Sequence, residues 1–142
     1  MVKQKYSFEK VLDNIDVSED IFQPNLTTKL SIESALEKLK DNNSILDLGC
    51  GSGIIGIAIM KTFSDIKMFC SDIQPNAIEN AKNNFMKNNL SAEIRKGNLF
   101  EPWNGKKFDY IINDVSAIST SVAKISPWFG KNIPCQSGED GT

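Results

Sequence analysis

One stretch restricts the folds open to this chain more than any other: Ser44-Ile45-Leu46-Asp47-Leu48 runs without a break into Gly49-Cys50-Gly51-Ser52-Gly53. The first five residues are short, β-branched and apolar, which is the pattern of a buried strand. Glycines on alternate positions behind it let the backbone turn tightly and approach a ligand with no Cβ atoms in the way. Ile54 to Phe63 then reads as a helix. A plain strand-to-helix turn needs one glycine, so three in register behind an acid point to a loop shaped around a ligand.

The unit repeats downstream. Lys67 to Ser71 reads as a second strand with Asp72 at its end, and Pro75 opens a helix on which Ile78, Ala81 and Phe85 share a face. Ala92 to Lys96 and Phe108 to Ile112 supply third and fourth strands, separated by the turn-rich Pro102-Trp103-Asn104-Gly105. Upstream, Thr27 and Thr28 introduce an amphipathic helix over Lys29 to Lys40, with Leu30, Ala35, Leu36 and Leu39 at helical spacing. Residues 1–23 read as an N-terminal arm or cap carrying one short helix face, Phe8, Val11, Leu12 and Ile15, and residues 24–142 as the binding domain. Strands alternating with helices predict an α/β fold, a doubly wound and mostly parallel sheet that binds ligands at the carboxyl ends of its strands. After Ile112 the signal fades, because residues 116–142 offer small polar residues, prolines and glycines but no convincing strand. The sheet is therefore expected to be incomplete on its C-terminal side and the chain to be a piece of a longer protein. The edge carrying Tyr110, Ile111 and Ile112 is expected to be covered by the tail or to be open to self-association.

Composition narrows the chemistry. The 142 residues fit one domain and contain no histidine, which excludes a Ser-His-Asp triad, a Cys-His pair and an imidazole base. Sixteen basic residues against 18 acidic ones give a formal charge of -2, without the electrostatic footprint of stable nucleic-acid binding. Arg95 is the single arginine, so bidentate clamps cannot be the main device. Cys50, Cys70 and Cys135 form no CxxC pair and read as reduced thiols of a cytoplasmic protein, with no metal site. No apolar run approaches the length of a membrane span, and no apolar region follows Met1-Val2-Lys3-Gln4-Lys5 as a signal peptide would require.

Gly51-Ser52-Gly53-Ile54-Ile55-Gly56 also satisfies GxGxxG, with Asp72 about 20 residues on, so a nicotinamide dinucleotide competes as ligand. The longer run Ile45-Leu46-Asp47-Leu48-Gly49-Cys50-Gly51-Ser52-Gly53, however, resembles the first motif of class I S-adenosylmethionine-dependent methyltransferases, in which an acid precedes the first glycine by two. A carboxylate there suits a ligand carrying an ammonium and a sulfonium and poorly serves a pyrophosphate. The resemblance extends from about Phe22 to Asp114. Phe22-Gln23-Pro24-Asn25-Leu26-Thr27-Thr28-Lys29-Leu30 is similar to the segment before the first motif in the "methyltransferase small domain" group, which includes release-factor glutamine methyltransferases and some ribosomal-RNA guanine methyltransferases.

The resemblance implies that Asp47, Gly49, Cys50, Gly51 and Gly53 hold S-adenosylmethionine, that Asp72 accepts from both ribose hydroxyls, and that Ile73 lies against adenine. Gly97-Asn98-Leu99-Phe100 resembles the group's GD-hydrophobic-F segment with Asn98 for the acid, which brings Asn98 and Leu99 to the adenine as well. Phe108 to Ala117 aligns with FDxIxxNPPY, but Asp114 stands where the group has asparagine, and both prolines and the aromatic are missing. Asp114 is the candidate catalytic residue and a further cofactor contact: it can accept a hydrogen bond from a nucleophile or act as a weak base, and it can equally cap the next helix. The implied activity is methyl transfer to a protein, RNA or small-molecule nucleophile. An NAD-dependent oxidoreductase and a non-catalytic cofactor-binding module are the alternatives. Trp103, Trp128 and Phe129 read as satellite core contacts, Lys106-Lys107 as a solvated face, and Cys50 as a small packing residue.

Overall fold

In a computed structural model of the chain, residues 5–114 are described. Parallel strands β1 (Ser44–Leu48), β2 (Lys67–Asp72), β3 (Glu93–Lys96) and β4 (Tyr110–Asn113) form a single sheet in the order β3-β2-β1-β4. The register pairs Ile45 with Met68 and Tyr110, and Asp47 with Cys70 and Ile112. The chain runs outward from β1 through β2 to β3 and then returns to β1's other side. This reversal opens a crevice at the carboxyl ends of β1 and β4, where open parallel sheets bind ligands.

Side-chain alternation gives the sheet two different faces. Ile45, Met68 and Cys70 point into the main core beneath helices α1 (Phe8–Asp13), α2 (Leu26–Lys38), α3 (Ile54–Thr62) and α4 (Pro75–Lys87). Nearly every residue of α3 is apolar, and the helix is buried almost all round, with α1, α2 and α4 against it. Gly56 is what permits the closest of these approaches: a Cβ there would stand 2.9 Å from the Phe85 ring and 3.2 Å from Met68 Cγ. On the opposite face, Leu46, Leu48 and Phe69 are covered by Trp103 and Phe108. Trp103 sits in a 3-10 turn, Glu101–Trp103, and its indole N–H donates to Ser71 Oγ at 2.9 Å. The expected satellite role of Trp103 is what is found. Trp128, Phe129, Cys135 and the expectations for residues 116–142 lie outside the described residues.

Two details of α2 differ from the sequence reading. The helix starts at Leu26, not Lys29, because Asn25 caps it: the Asn25 side-chain Oδ1 accepts from Thr28 N–H at 3.2 Å while Thr28 Oγ1 accepts from Asn25 N–H at 3.2 Å. Its inward face centres on Thr28 and Ile32, with Ile32 0 % exposed, whereas Leu30 is 56 % exposed. Leu30 instead lines a groove with Ala35, Tyr110 and Ile111 beside β4, whose outer edge pairs with no strand among the described residues. The fourth strand likewise begins two residues later than predicted, since Phe108 turns into the aromatic cluster and Asp109 accepts from Ser44 N–H at 2.7 Å. The N-terminal arm is not separate from the core: Phe8, Val11 and Ile15 are buried in it. Among the described residues no helix is long and apolar enough to cross a membrane.

Candidate functional site

Every candidate residue drawn from the strand ends lies at the carboxyl edge of the sheet. The loop after β1 is shaped by three left-handed glycines, Gly49, Gly51 and Gly53, at φ 79, 52 and 84°. L-residues rarely adopt these angles, so the alternating glycines are required by the backbone path itself. The Gly49 and Cys50 N–H groups both donate to the Ser71 carbonyl at 2.9 Å, which ties the loop to the end of β2. Gly53 then caps α3 without any side-chain hydrogen bond.

Asp47 lies beneath this loop. It is 0 % exposed, and among the described residues neither carboxylate oxygen has a hydrogen-bond partner. Burial, reinforced by Asp114 and Asp72, pushes its pKa up to about 8. A buried carboxyl group left without donors is costly, and such groups in folded proteins point to a function or to an absent partner. Cys50 packs beside Cys70, whose hydrogen bond, together with burial, raises the Cys50 thiol well above its usual range. Such a thiol is inert, in keeping with a packing role.

Asp72 ends β2 with both oxygens committed to the site's own architecture. Oδ2 accepts from Gly51 N–H and Oδ1 from Gln74 N–H, each at 3.0 Å. Each oxygen keeps a second lone pair for a ligand hydroxyl. Beyond it Ile73 is 59 % exposed, and after β3 Leu99 is 50 % exposed with φ at 45°. Two apolar side chains are thus left open at the ends of neighbouring strands. Asn98 is exposed, and its carbonyl accepts from Glu101 N–H at 3.0 Å, starting the 3-10 turn. Asp114 follows β4 directly and is exposed. The structure thus brings Asp47, the glycine loop, Asp72 and Asp114 together at the carboxyl ends of β1, β2 and β4, with Ile73, Asn98 and Leu99 exposed beyond β2 and β3.

Two contributors escaped the sequence reading. Ile21, from the arm, lies over the loop, with its Cγ2 3.7 Å from where a Cβ on Gly51 would stand. Asn84 of α4 donates to the Ser52 carbonyl at 2.9 Å. The available signal was the recurrence of asparagine at positions 76, 80, 84 and 88, one per helical turn.

The methyltransferase small domain family matches residues 14–114. A ribosomal protein L11 methyltransferase from Thermosipho africanus is 41% identical over 91 residues, covering 64% of this chain and 34% of that protein. A release factor glutamine methyltransferase from Clostridium acetobutylicum is 35% identical over 104 residues, covering 69% and 36%. One from Agrobacterium fabrum is 31% identical over 137 residues, covering 88% and 47%. The chain thus spans between a third and a half of the length of these relatives. Among solved structures, a precorrin-6y C5,15-methyltransferase from Geobacter metallireducens superposes with a TM-score of 0.52 at 18% identity, covering 63% of this chain and 46% of that one. A dimethyladenosine transferase from Plasmodium falciparum does so at 0.52 and 20%, covering 70% and 34%. Both share the Rossmann-like α/β fold.

Proposed function

Because the chain belongs to the methyltransferase small domain family, we propose that its crevice binds S-adenosylmethionine and serves methyl transfer to a protein nucleophile. The observation that carries this reading is the buried Asp47 carboxyl group without a partner, set beneath a loop of three left-handed glycines. A ligand with an ammonium group supplies the missing partner, and the glycines leave room for its close approach. Asp72 takes the ribose diol, Ile73 and Leu99 cover the adenine, and Asn98 offers an amide to its edge. When bound, the cofactor supplies an electrophilic methyl group on a sulfonium that leaves readily. The protein's task is then mostly alignment of the acceptor, and Asp114, exposed after β4, accepts a hydrogen bond from its N–H or O–H. The relatives named for ribosomal protein L11 and for release factor glutamine favour a protein acceptor. The thiols Cys50 and Cys70, free and buried, suit a reducing cytoplasm.

A dinucleotide is disfavoured because Asp47 would face a pyrophosphate. Titration calorimetry with S-adenosylhomocysteine and with NAD distinguishes the two. The first is expected to bind and the second not, and Asp72→Ala is expected to weaken the first by about a hundredfold or more, as two hydrogen bonds to a charged acceptor at about 1.5–3 kcal/mol each imply. NAD binding without S-adenosylhomocysteine binding would overturn the proposal.

A further inference from the structure

Residues 14–23, between α1 and α2, form no helix or strand, yet Ile15 and Ile21 within them are buried. A segment of this kind must satisfy its backbone groups elsewhere. One stripe of α4 does so. Asn88 donates to the Asn14 carbonyl at 2.9 Å. Asn84 accepts from Asp16 N–H at 2.8 Å and donates to the Asp16 carbonyl at 2.7 Å. Asn80 donates to the same carbonyl at 2.8 Å and accepts from Ser18 N–H at 3.4 Å. Asn76 donates to the Asp20 carboxylate, and Lys87 pairs with the Asp16 carboxylate at 3.2 Å. Side-chain amides at four-residue spacing thus replace a neighbouring strand, and they fix the register of the segment along the helix.

Asn84 and Asn80 are buried, so each is costly unless bonded. Asn84 goes further than its neighbours: its second amide hydrogen donates to the Ser52 carbonyl at 2.9 Å, inside the glycine loop. The amide therefore spends both donors and its acceptor on two stretches of chain, the segment and the loop. From the segment's far end, Ile21 lies over Gly51, whose N–H is one of the two that hold Asp72. The segment accordingly bears on the loop directly at Gly51, through Ile21, and indirectly at Ser52, through Asn84.

We infer that residues 14–23 are a strap that sets the conformation of the glycine loop, with Asn84 as the positioning residue that couples the two. Only the ligand arm of the test rests on the cofactor reading proposed above. The first arm is amide hydrogen exchange on the ligand-free chain. Asn80→Ala touches the strap alone, so coupling predicts faster exchange, by about tenfold, at the Gly51 and Gly53 amides as well as at Asp16 and Ser18. Asn84→Ala is expected to do the same to a greater extent, and Asn80→Ala decides the matter if that variant fails to fold. Faster exchange confined to the strap would reduce the asparagines to a tether and overturn the inference. In the second arm S-adenosylhomocysteine is expected to slow exchange at Asp16 and Ser18, and folded Asn84→Ala to bind it about tenfold more weakly. Unchanged affinity with a released strap would also overturn the inference. Failure of the unaltered chain to bind at all would count against the cofactor reading alone, and the ligand-free comparison would still decide the coupling.

Discussion

Asp47 concentrates the cost of the site in one carboxyl group. Its pKa stands at about 8 against a reference of 3.8, through burial first and then through Asp114 and Asp72. The folded chain therefore holds a proton that the unfolded chain releases near pH 4, and stability falls as pH rises from about 4 to about 8. The carboxylates whose pKa values are lowered, at Glu9, Asp41, Glu93 and Asp109, are exposed or half-buried and act mainly below this window. Asp47→Asn removes the pH-dependent part of the penalty while keeping the shape. It is expected to stabilise the ligand-free chain at pH 8 by on the order of 2–5 kcal/mol relative to pH 5, as measured by urea unfolding at the two pH values. Parallel behaviour of variant and parent would contradict the assigned burial. Cofactor affinity has the opposite sense: an ammonium group needs the ionised carboxylate, so binding strengthens as pH rises towards 8. The acid two residues before the first glycine was legible in the sequence, but its lack of partners was not, since that depends on what β2 and the loop place around it.

At the scale of elements, α3 and α4 meet through Gly56. In an open helix, alanine would be favoured over glycine by about 0.5–1 kcal/mol. Here the added Cβ meets the buried Phe85 ring at 2.9 Å, so Gly56→Ala is expected to destabilise by about 1–3 kcal/mol in thermal or urea unfolding. Adding Phe85→Leu is expected to recover part of that loss, and a Gly56→Ala chain more stable than its parent would contradict the packing. The four strands and the helices around them could be read from periodicity because apolar runs and glycines mark them locally. The inward face of α2 could not, because Leu30 and Ile32 are both apolar and only the tertiary fold decides that Ile32 is buried. The start of α2 was missed for a related reason: Asn25, Thr27 and Thr28 are all competent caps, and the reciprocal pair between Asn25 and Thr28 selects the first. The strap was illegible because it has no periodicity of its own, and its partner stripe of asparagines reads as ordinary helix surface.

For the molecule as a whole, the order β3-β2-β1-β4 brings three strand ends and two apolar rim residues to one crevice. The helices cover one face of the sheet, while Trp103 and Phe108 cover the other among the described residues. In the proposed reading, the described half of the site is the cofactor side. In the sequence, Val115, Ser116 and Ala117 stand where the related motif has its prolines and aromatic, which is why a substrate could not be read from sequence. The central claim is therefore about the cofactor, and a crystal structure of this chain with S-adenosylhomocysteine tests it most directly. The account predicts the ligand's ammonium group on Asp47, its ribose hydroxyls on Asp72 and its adenine between Ile73 and Leu99. A ligand seated elsewhere, such as the groove between α2 and β4, or an Asp47 still without a partner, would contradict it.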